Sequence, residues 1–481
     1  MSFFPKNKTG FEDVLNQMQD FGKNDSNWRD GKTWSLVYHA GNEHSDFIKK
    51  AYSMYFTENA LNPMAFKSLK RFEHEVVRMS AEIFHGAGHA VGTMSSGGTE
   101  SILLAVKTYR DMANAKKGLI RLPKAISPKP EMIVPESVHV AFTKAAHYFG
   151  VKLVVAPLDK QYRVKVKAVK KLINRNTILI VGSAPNYPFG TVDPIEELGQ
   201  LAERKNIPLH VDACLGGFLL PFIEKNGGDI PLFDFRVKGV SSISADIHKY
   251  GFAAKGASVI LYRDMSYLKH QFFAEENWPG GMFVSPALLG TRPGGAIAAA
   301  WASLTAQGED GLKEKAALVM KITKQIQEGI KLIKQLEING EPEAGIFSYR
   351  SVDEQINIYA VADILEEKGW HTDRQQKPEC LHVMITPAHE NVVENYLQDL
   401  KEAISIIKQS PEKNKTGNAA MYGMMANIPF RGMIKKELLK VMEEMYSVSG
   451  ETPTLDNQGQ NDLKTIIAQK FLDLRAKFKI F

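Results

Sequence analysis

SSGGTES (95–101) places two glycines and a threonine directly before the apolar run ESILLAVKTYR. A Gly-Gly-Thr entering a helix turns backbone N–H groups toward an anion, and the helix dipole adds to the attraction. Gly98 and Thr99 therefore read as a phosphate cup. HVDAC (210–214) sets Asp212 after the apolar run IPLHV, and SADIHKYG (244–251) sets His248 and Lys249 side by side at a second strand end. A lysine amine so placed can condense with an aldehyde to an imine. A buried aspartate can keep a pyridine nitrogen protonated, which makes the ring draw electrons. His139 in PESVHVAF, just after EMIVP, is suited to lie flat on such a ring. Singly, each has an ordinary reading: a solvated lysine, an aspartate capping a helix, a tight Gly-Gly turn, a core or surface histidine. In the order cup, histidine, aspartate, His-Lys, each at a strand end or helix start, they point to pyridoxal 5'-phosphate.

Rival motifs do not fit. HGAGHAVG (85–92) spaces its glycines as G-x-G-x-x-x-G, unlike a dinucleotide-binding loop, and no G-x-x-x-x-G-K-[ST] occurs. His85 and His89 are four apart, as zinc ligands on a helix could be, but glycines intervene and no glutamate follows the first histidine. The pair reads as structural, and no metal is expected.

The elements that must position these residues are legible as short β-rich runs alternating with amphipathic segments between about 90 and 265. The strands are EMIVP (131–135), KLVVAP (152–157), TILIVGSAP (177–185), PLHVDA (208–213), SSISAD (241–246) and ASVILY (257–262). Helices are predicted over 137–150 and 194–206. This alternation predicts an α/β fold with a mostly parallel sheet flanked by helices. Ligands of such sheets sit at the carboxyl ends of the strands. A Gly/Pro-rich stretch (278–295) precedes a long helix predicted over about 296–337, broken at Gly308 and Gly311. Residues 341–409 read as a smaller α+β region, with CLHVMITP (380–387) as its clearest strand. The expected domains are an N-terminal arm of short helices over 1–60, lying on a neighbouring subunit, then a large α/β domain over 61–310. A C-terminal α+β domain over 311–450 and a tail over 451–481 complete the chain.

The chain's 481 residues are 44% apolar and 24% charged, ordinary for a globular protein with an ample core. No apolar run is long enough to span a bilayer, and MSFFPKNKTGFED is too polar for a secretory signal. A soluble, cytoplasmic protein is the default expectation, with export by a dedicated machine left open. The net charge of +6 is mild and scattered; it suits anionic small molecules or membranes as well as nucleic acid, and no nucleic-acid partner is expected. Two distant cysteines, Cys214 and Cys380, exclude a disulfide framework.

The strings MSSGGTESILLAVKTYRD (94–111), PESVHVAFTKAAHYFG (135–150), PLHVDACLGGF (208–218), FDFRVKGVSSISADIHKYGFAAKG (233–256) and GTRPGG (290–295) closely resemble the sphingosine-1-phosphate lyases. The similarity runs from about 34 to 450. It is more specific than the general pattern, because related amino-acid decarboxylases share the cup, the aspartate and His-Lys but not the long approach to the lysine. The resemblance implies pyridoxal-phosphate fold type I, aspartate aminotransferase-like, in a homodimer with shared active sites. By motif, Lys249 would carry the cofactor and Asp212 would pair with its ring nitrogen. His139 would stack on the ring, and Gly98, Thr99 and His248 would hold the phosphate. Thr291 in GTRPGG would reach the partner subunit's phosphate, while Tyr38, Lys255 and Tyr187 would line the substrate side. The family's N-P-L-H-P segment corresponds to NALNPMAF (59–66), where Asn62 replaces the histidine; it can donate a hydrogen bond but carries no charge.

The implied reaction is retro-aldol cleavage of a phosphorylated long-chain base at C2–C3, giving a long-chain aldehyde and phosphoethanolamine. Lys255, Tyr38 and the freed Lys249 are the candidate bases. An amino-acid decarboxylase of the same fold is the alternative. In the tail, DLKTIIAQKFLDLRAKFKIF (462–481) spaces Leu463, Ile466, Ile467, Phe471, Leu474, Phe478 and Phe481 as one helical face, with lysines and Arg475 among them. It reads either as a helix packed on the protein's own surface or as a peripheral membrane contact.

Overall fold

The computed structural model describes residues 4–26, 28–62, 64–116, 128–415 and 431–447. The tail helix expected over 462–481 lies outside them. The contacts divide the chain into two compact units: Leu36–Tyr349 with His382–Val393, and Met1–Ser35 with Arg350–Leu381 and Glu394–Phe481. All the candidate site residues belong to the first.

That unit is built on a seven-stranded sheet: β1 (Val91–Ser95), β2 (Glu131–Pro135), β3 (Lys152–Ala156), β4 (Thr177–Ser183), β5 (Leu209–Asp212), β6 (Val240–Ala245) and β7 (Ser258–Tyr262). Their spatial order is β1-β7-β6-β5-β4-β2-β3. Neighbours from β3 to β6 run parallel, whereas β7 runs antiparallel to both β6 and β1. Two reversals bring β1 back into line with the parallel set. The carboxyl ends of β1, β2, β4, β5 and β6 therefore face one edge, where the chemistry-bearing residues follow. Strands buried on both faces read as continuous apolar runs, as ILIVGS does in β4. Against one face pack the helices Gly98–Lys116 and Ala141–Phe149, whose Ile102, Val106, Tyr109 and Phe142 join Met132, Leu179, Val181 and Ile260 in one cluster.

Several expectations need correction. The helix predicted from 137 begins at Ala141, because residues 136–140 form the turn that carries His139. The long helix spans Gly294–Lys331; it breaks at Gly308 (φ +57°) but runs on through Gly311, and a strand, Leu336–Ile338, occupies its predicted end. β1 went unrecognised in the sequence.

In the second unit Trp34 stacks on Trp370, ring centroids 5.5 Å apart, with Tyr396 edge-on to both. The helices Ile358–Glu367 and Val393–Gln409 and the strand Asp373–Gln375 give it its α+β character. The arm helix Phe11–Phe21 has no buried residue. Among the described residues no helix is long and apolar enough to cross a membrane.

Candidate active site

At the carboxyl end of β6 the chain turns through Asp246, His248 and Lys249. The Lys249 ammonium lies 2.9 Å from Asp246 Oδ2, and Ser258 donates a 2.6 Å hydrogen bond to Asp246 Oδ1. Burial opposes the Lys249 charge, but Asp246 outweighs it and holds the amine above the ordinary lysine range. Burial likewise opposes the Asp246 carboxylate, yet Lys249 and His248 hold it below its usual value. His248 donates from Nδ1 to the Ala257 carbonyl at 2.7 Å, which leaves Nε2 turned inward, 3.8 Å from Asp246. The turn after the lysine is pinned from outside, with Ser303 donating to Gly251 O at 2.7 Å and His44 Nε2 3.1 Å from Phe252 O.

The cup follows β1. Gly97 has φ +155°, a conformation side chains rarely adopt, and a Cβ on Gly98 would lie 2.8 Å from both Asp246 Oδ2 and Cys214 Sγ. Only glycines let the backbone sit this close to the lysine turn. Gly98 opens the helix Gly98–Lys116, with Thr99 exposed in its first turn. The buried Glu100 braces the loop: Oε2 accepts from Ser96 N and Oγ, both at 2.7 Å, and Oε1 accepts from Leu288 N at 2.9 Å. Asp212 ends β5, buried, with Oδ1 accepting from Cys214 N (3.1 Å) and Ser244 Oγ (3.4 Å). His139 is exposed beyond β2, its Nδ1 accepting from Ala141 N, and the edge of Tyr187 faces its ring at 6.2 Å.

On the substrate side, Lys255 Nζ sits 4.9 Å over the Tyr38 ring. Loss of hydration, reinforced by the charge of Lys249, pushes Lys255 down to about 8, against the opposing pull of Asp246. Tyr38 donates to Met384 Sδ at 2.6 Å, and burial, with Asp246 nearby, raises its phenol well above the usual value. Tyr187 stacks on His382 at 4.4 Å. Thr291 and Asn62 make their bonds elsewhere. Thr291 Oγ1 accepts from Asn59 Nδ2 (3.3 Å), and Asn62 Oδ1 accepts from Met64 N (3.0 Å).

Asp246 and Glu100 escaped the sequence reading. Asp246 was visible as an acid three residues before the lysine, and Glu100 as an acid just inside the cup helix. His85 and His89 serve structure: His85 Nδ1 bonds Asp234 at 2.9 Å, and His89 meets the edge of Phe235.

A cup that tolerates no Cβ, a buried carboxylate at a strand end, an open histidine face and a half-buried amine fit pyridoxal phosphate. The fold and these groups define a pyridoxal-phosphate enzyme of fold type I. The conserved domain of pyridoxal-dependent decarboxylases matches residues 45–352, and the chain belongs to that family, in its sphingosine-1-phosphate lyase branch. It is 45% identical to "Sphingosine-1-phosphate lyase" of Oryza sativa subsp. japonica over 89% of this chain and 79% of that one. The structure of the Burkholderia pseudomallei K96243 sphingosine-1-phosphate lyase superposes with a TM-score of 0.83 at 35% identity, covering 93% of this chain and 98% of that one. Lactobacillus brevis glutamate decarboxylase (TM-score 0.74, 21% identity, 85% and 96% covered) shares the fold.

Proposed function

We propose that the protein cleaves sphingosine 1-phosphate and related phosphorylated long-chain bases between C2 and C3, yielding a long-chain aldehyde and phosphoethanolamine. The observation that carries this reading is the meeting of two unlike amines at one sheet edge: Lys249, ion-paired and half-buried, and Lys255, less basic and 4.9 Å over Tyr38. Bound pyridoxal phosphate supplies an electron sink for the breaking C2–C3 bond. Lys249 holds the cofactor, Gly98, Thr99 and His248 take its phosphate, and His139 covers one face of its ring. Asp212 holds a proton at the ring nitrogen.

A base must remove the proton from the C3 hydroxyl. General bases work best with a pKa near the operating pH. Of the three candidates Lys255, at about 8, lies nearest neutrality, while Lys249 and Tyr38 are both raised. We assign the proton to Lys255 Nζ. Tyr38 and Tyr187 line the approach, and Asn62 donates a neutral hydrogen bond to the substrate phosphate.

The working form is a homodimer, with Thr291 directed to the partner's phosphate; the similarity to sphingosine-1-phosphate lyases supports this. A cytoplasmic location belongs to the same reading. Incubating the purified protein with sphingosine 1-phosphate should release phosphoethanolamine and a long-chain aldehyde in equal amounts. Carbon dioxide from an amino acid, with no aldehyde from the lipid, would replace this reading with a decarboxylase.

A further inference from the structure

Behind Asp212 lies a buried polar chain that leads away from the cofactor. His210 and Asp212 are two apart on β5 and so share one face of the sheet. The neighbouring β6 sets Ser242 opposite His210 and Ser244 opposite Asp212. The buried imidazole spans both serines, with Nδ1 2.8 Å from Ser242 Oγ and Nε2 3.1 Å from Ser244 Oγ. Ser244 Oγ is 3.4 Å from Asp212 Oδ1 and accepts from Cys214 Sγ at 3.3 Å. At the far end Tyr109, on the helix that begins at the cup, donates to Ser242 Oγ at 2.6 Å.

The chain has a direction. Burial pushes His210 down to about 4 despite the nearby Asp212, so the ring is neutral, with one donor and one acceptor. Tyr109 donates into Ser242, so the Ser242 proton goes to His210 Nδ1. His210 Nε2–H then donates to Ser244, and the Ser244 proton is aimed at the Asp212 carboxylate. The opposite tautomer would draw the Ser244 proton toward the imidazole and away from a buried anion, where a charge-assisted bond is worth most.

We infer that His210 is a positioning residue: by fixing the Ser244 hydroxyl it holds the Asp212 carboxylate in the orientation that keeps the cofactor's ring nitrogen protonated. This rests on the reading that Asp212 faces that nitrogen. Oδ1, which takes both the Cys214 N–H and Ser244 hydroxyl bonds, is committed to this support.

The test uses apoprotein loaded with pyridoxal phosphate labelled with ¹⁵N in the ring. In Ser244→Ala, which removes a single oxygen, the ring-nitrogen resonance should move toward that of unprotonated pyridine and cofactor Kd should rise about tenfold. His210→Phe, which fills the space without hydrogen bonding, should do the same. The double variant should match either single one, since the two residues act in series. Tyr109→Phe should shift the resonance less, in the same direction. A folded Ser244→Ala protein with the wild-type resonance and affinity overturns the proposal, even if His210→Phe does not fold. Borohydride should still fix the cofactor on Lys249 in every variant. A wild-type protein labelled elsewhere would overturn the site reading itself, which separates that failure from failure of the relay.

Discussion

The two lysines differ in what surrounds them more than in where they stand. Lys249 faces a carboxylate, whereas Lys255 faces an aromatic ring and the charge of Lys249, so one is held protonated and the other is eased toward release. Lys249→Ala should lose lyase activity together with the visible absorbance of the bound cofactor; a fully active variant would end the assignment. For Lys255 the sign follows from its role. A base must be unprotonated, so kcat/KM should rise with pH and level off above about 8, the free-enzyme value. Lys255→Arg stays protonated throughout. It should abolish that limb and cost about 10²–10⁴-fold in rate while KM changes little. A raised KM with the limb intact would mean that Lys255 binds the phosphate instead. Lys249 was legible because it follows an apolar run whose end can be read off the sequence, and Lys255 only through the resemblance of the motif HKYGFAAKG. His210 was not, since its role depends on a partner across strands: Ser242 lies 32 residues away.

Single strands and helices show where pattern reading works. Runs such as EMIVP and TILIVGS became β2 and β4 at almost the expected limits, because burial on both faces selects continuous apolar sequence. β1, VGTMS, is five residues of small and polar character, and it is stabilised as a strand by its antiparallel pairing with β7 from Val91↔Tyr262 to Ser95↔Ser258. No local pattern announces such a partner. The cup behind it depends on Glu100, which holds Ser96 and reaches Leu288, 188 residues further along the sequence. Glu100→Ala frees both segments at once. Its cofactor Kd should rise about tenfold or more, read by titrating the apoprotein, with helix content by circular dichroism unchanged. An unaltered affinity would show that the cup stands without this brace.

For the molecule as a whole, the segment around Thr291 bears on stability and on the proposed assembly. Arg292 is buried against Glu73, with contacts of 2.5 and 3.1 Å, and its N–H donates to Asn59 Oδ1 at 3.1 Å. Glu73→Ala would strand a buried guanidinium, and such a loss costs about 3–5 kcal/mol. Its denaturant midpoint should fall accordingly; a change under 1 kcal/mol would mean that water reaches the arginine. Thr291 itself projects from this braced segment. If it serves the partner's phosphate, mixed dimers of Lys249→Ala and Thr291→Asp chains carry one site with both defects and one with neither. Co-refolding the two inactive proteins should restore activity, whereas silence from a confirmed heterodimer would put Thr291 in its own subunit's site.

The antiparallel course of β7 has a further consequence. A parallel successor must cross back over the sheet before it starts, but β7 runs antiparallel to β6 and starts at the edge where β6 ends, after a twelve-residue connection over 246–257, with Ala245 paired to Val259. Both amines therefore lie on this one return, six positions apart. Lengthening or trimming that return would retune the second amine while the first kept its register, so a single loop is where evolution could change the proton chemistry without rebuilding the cofactor's seat.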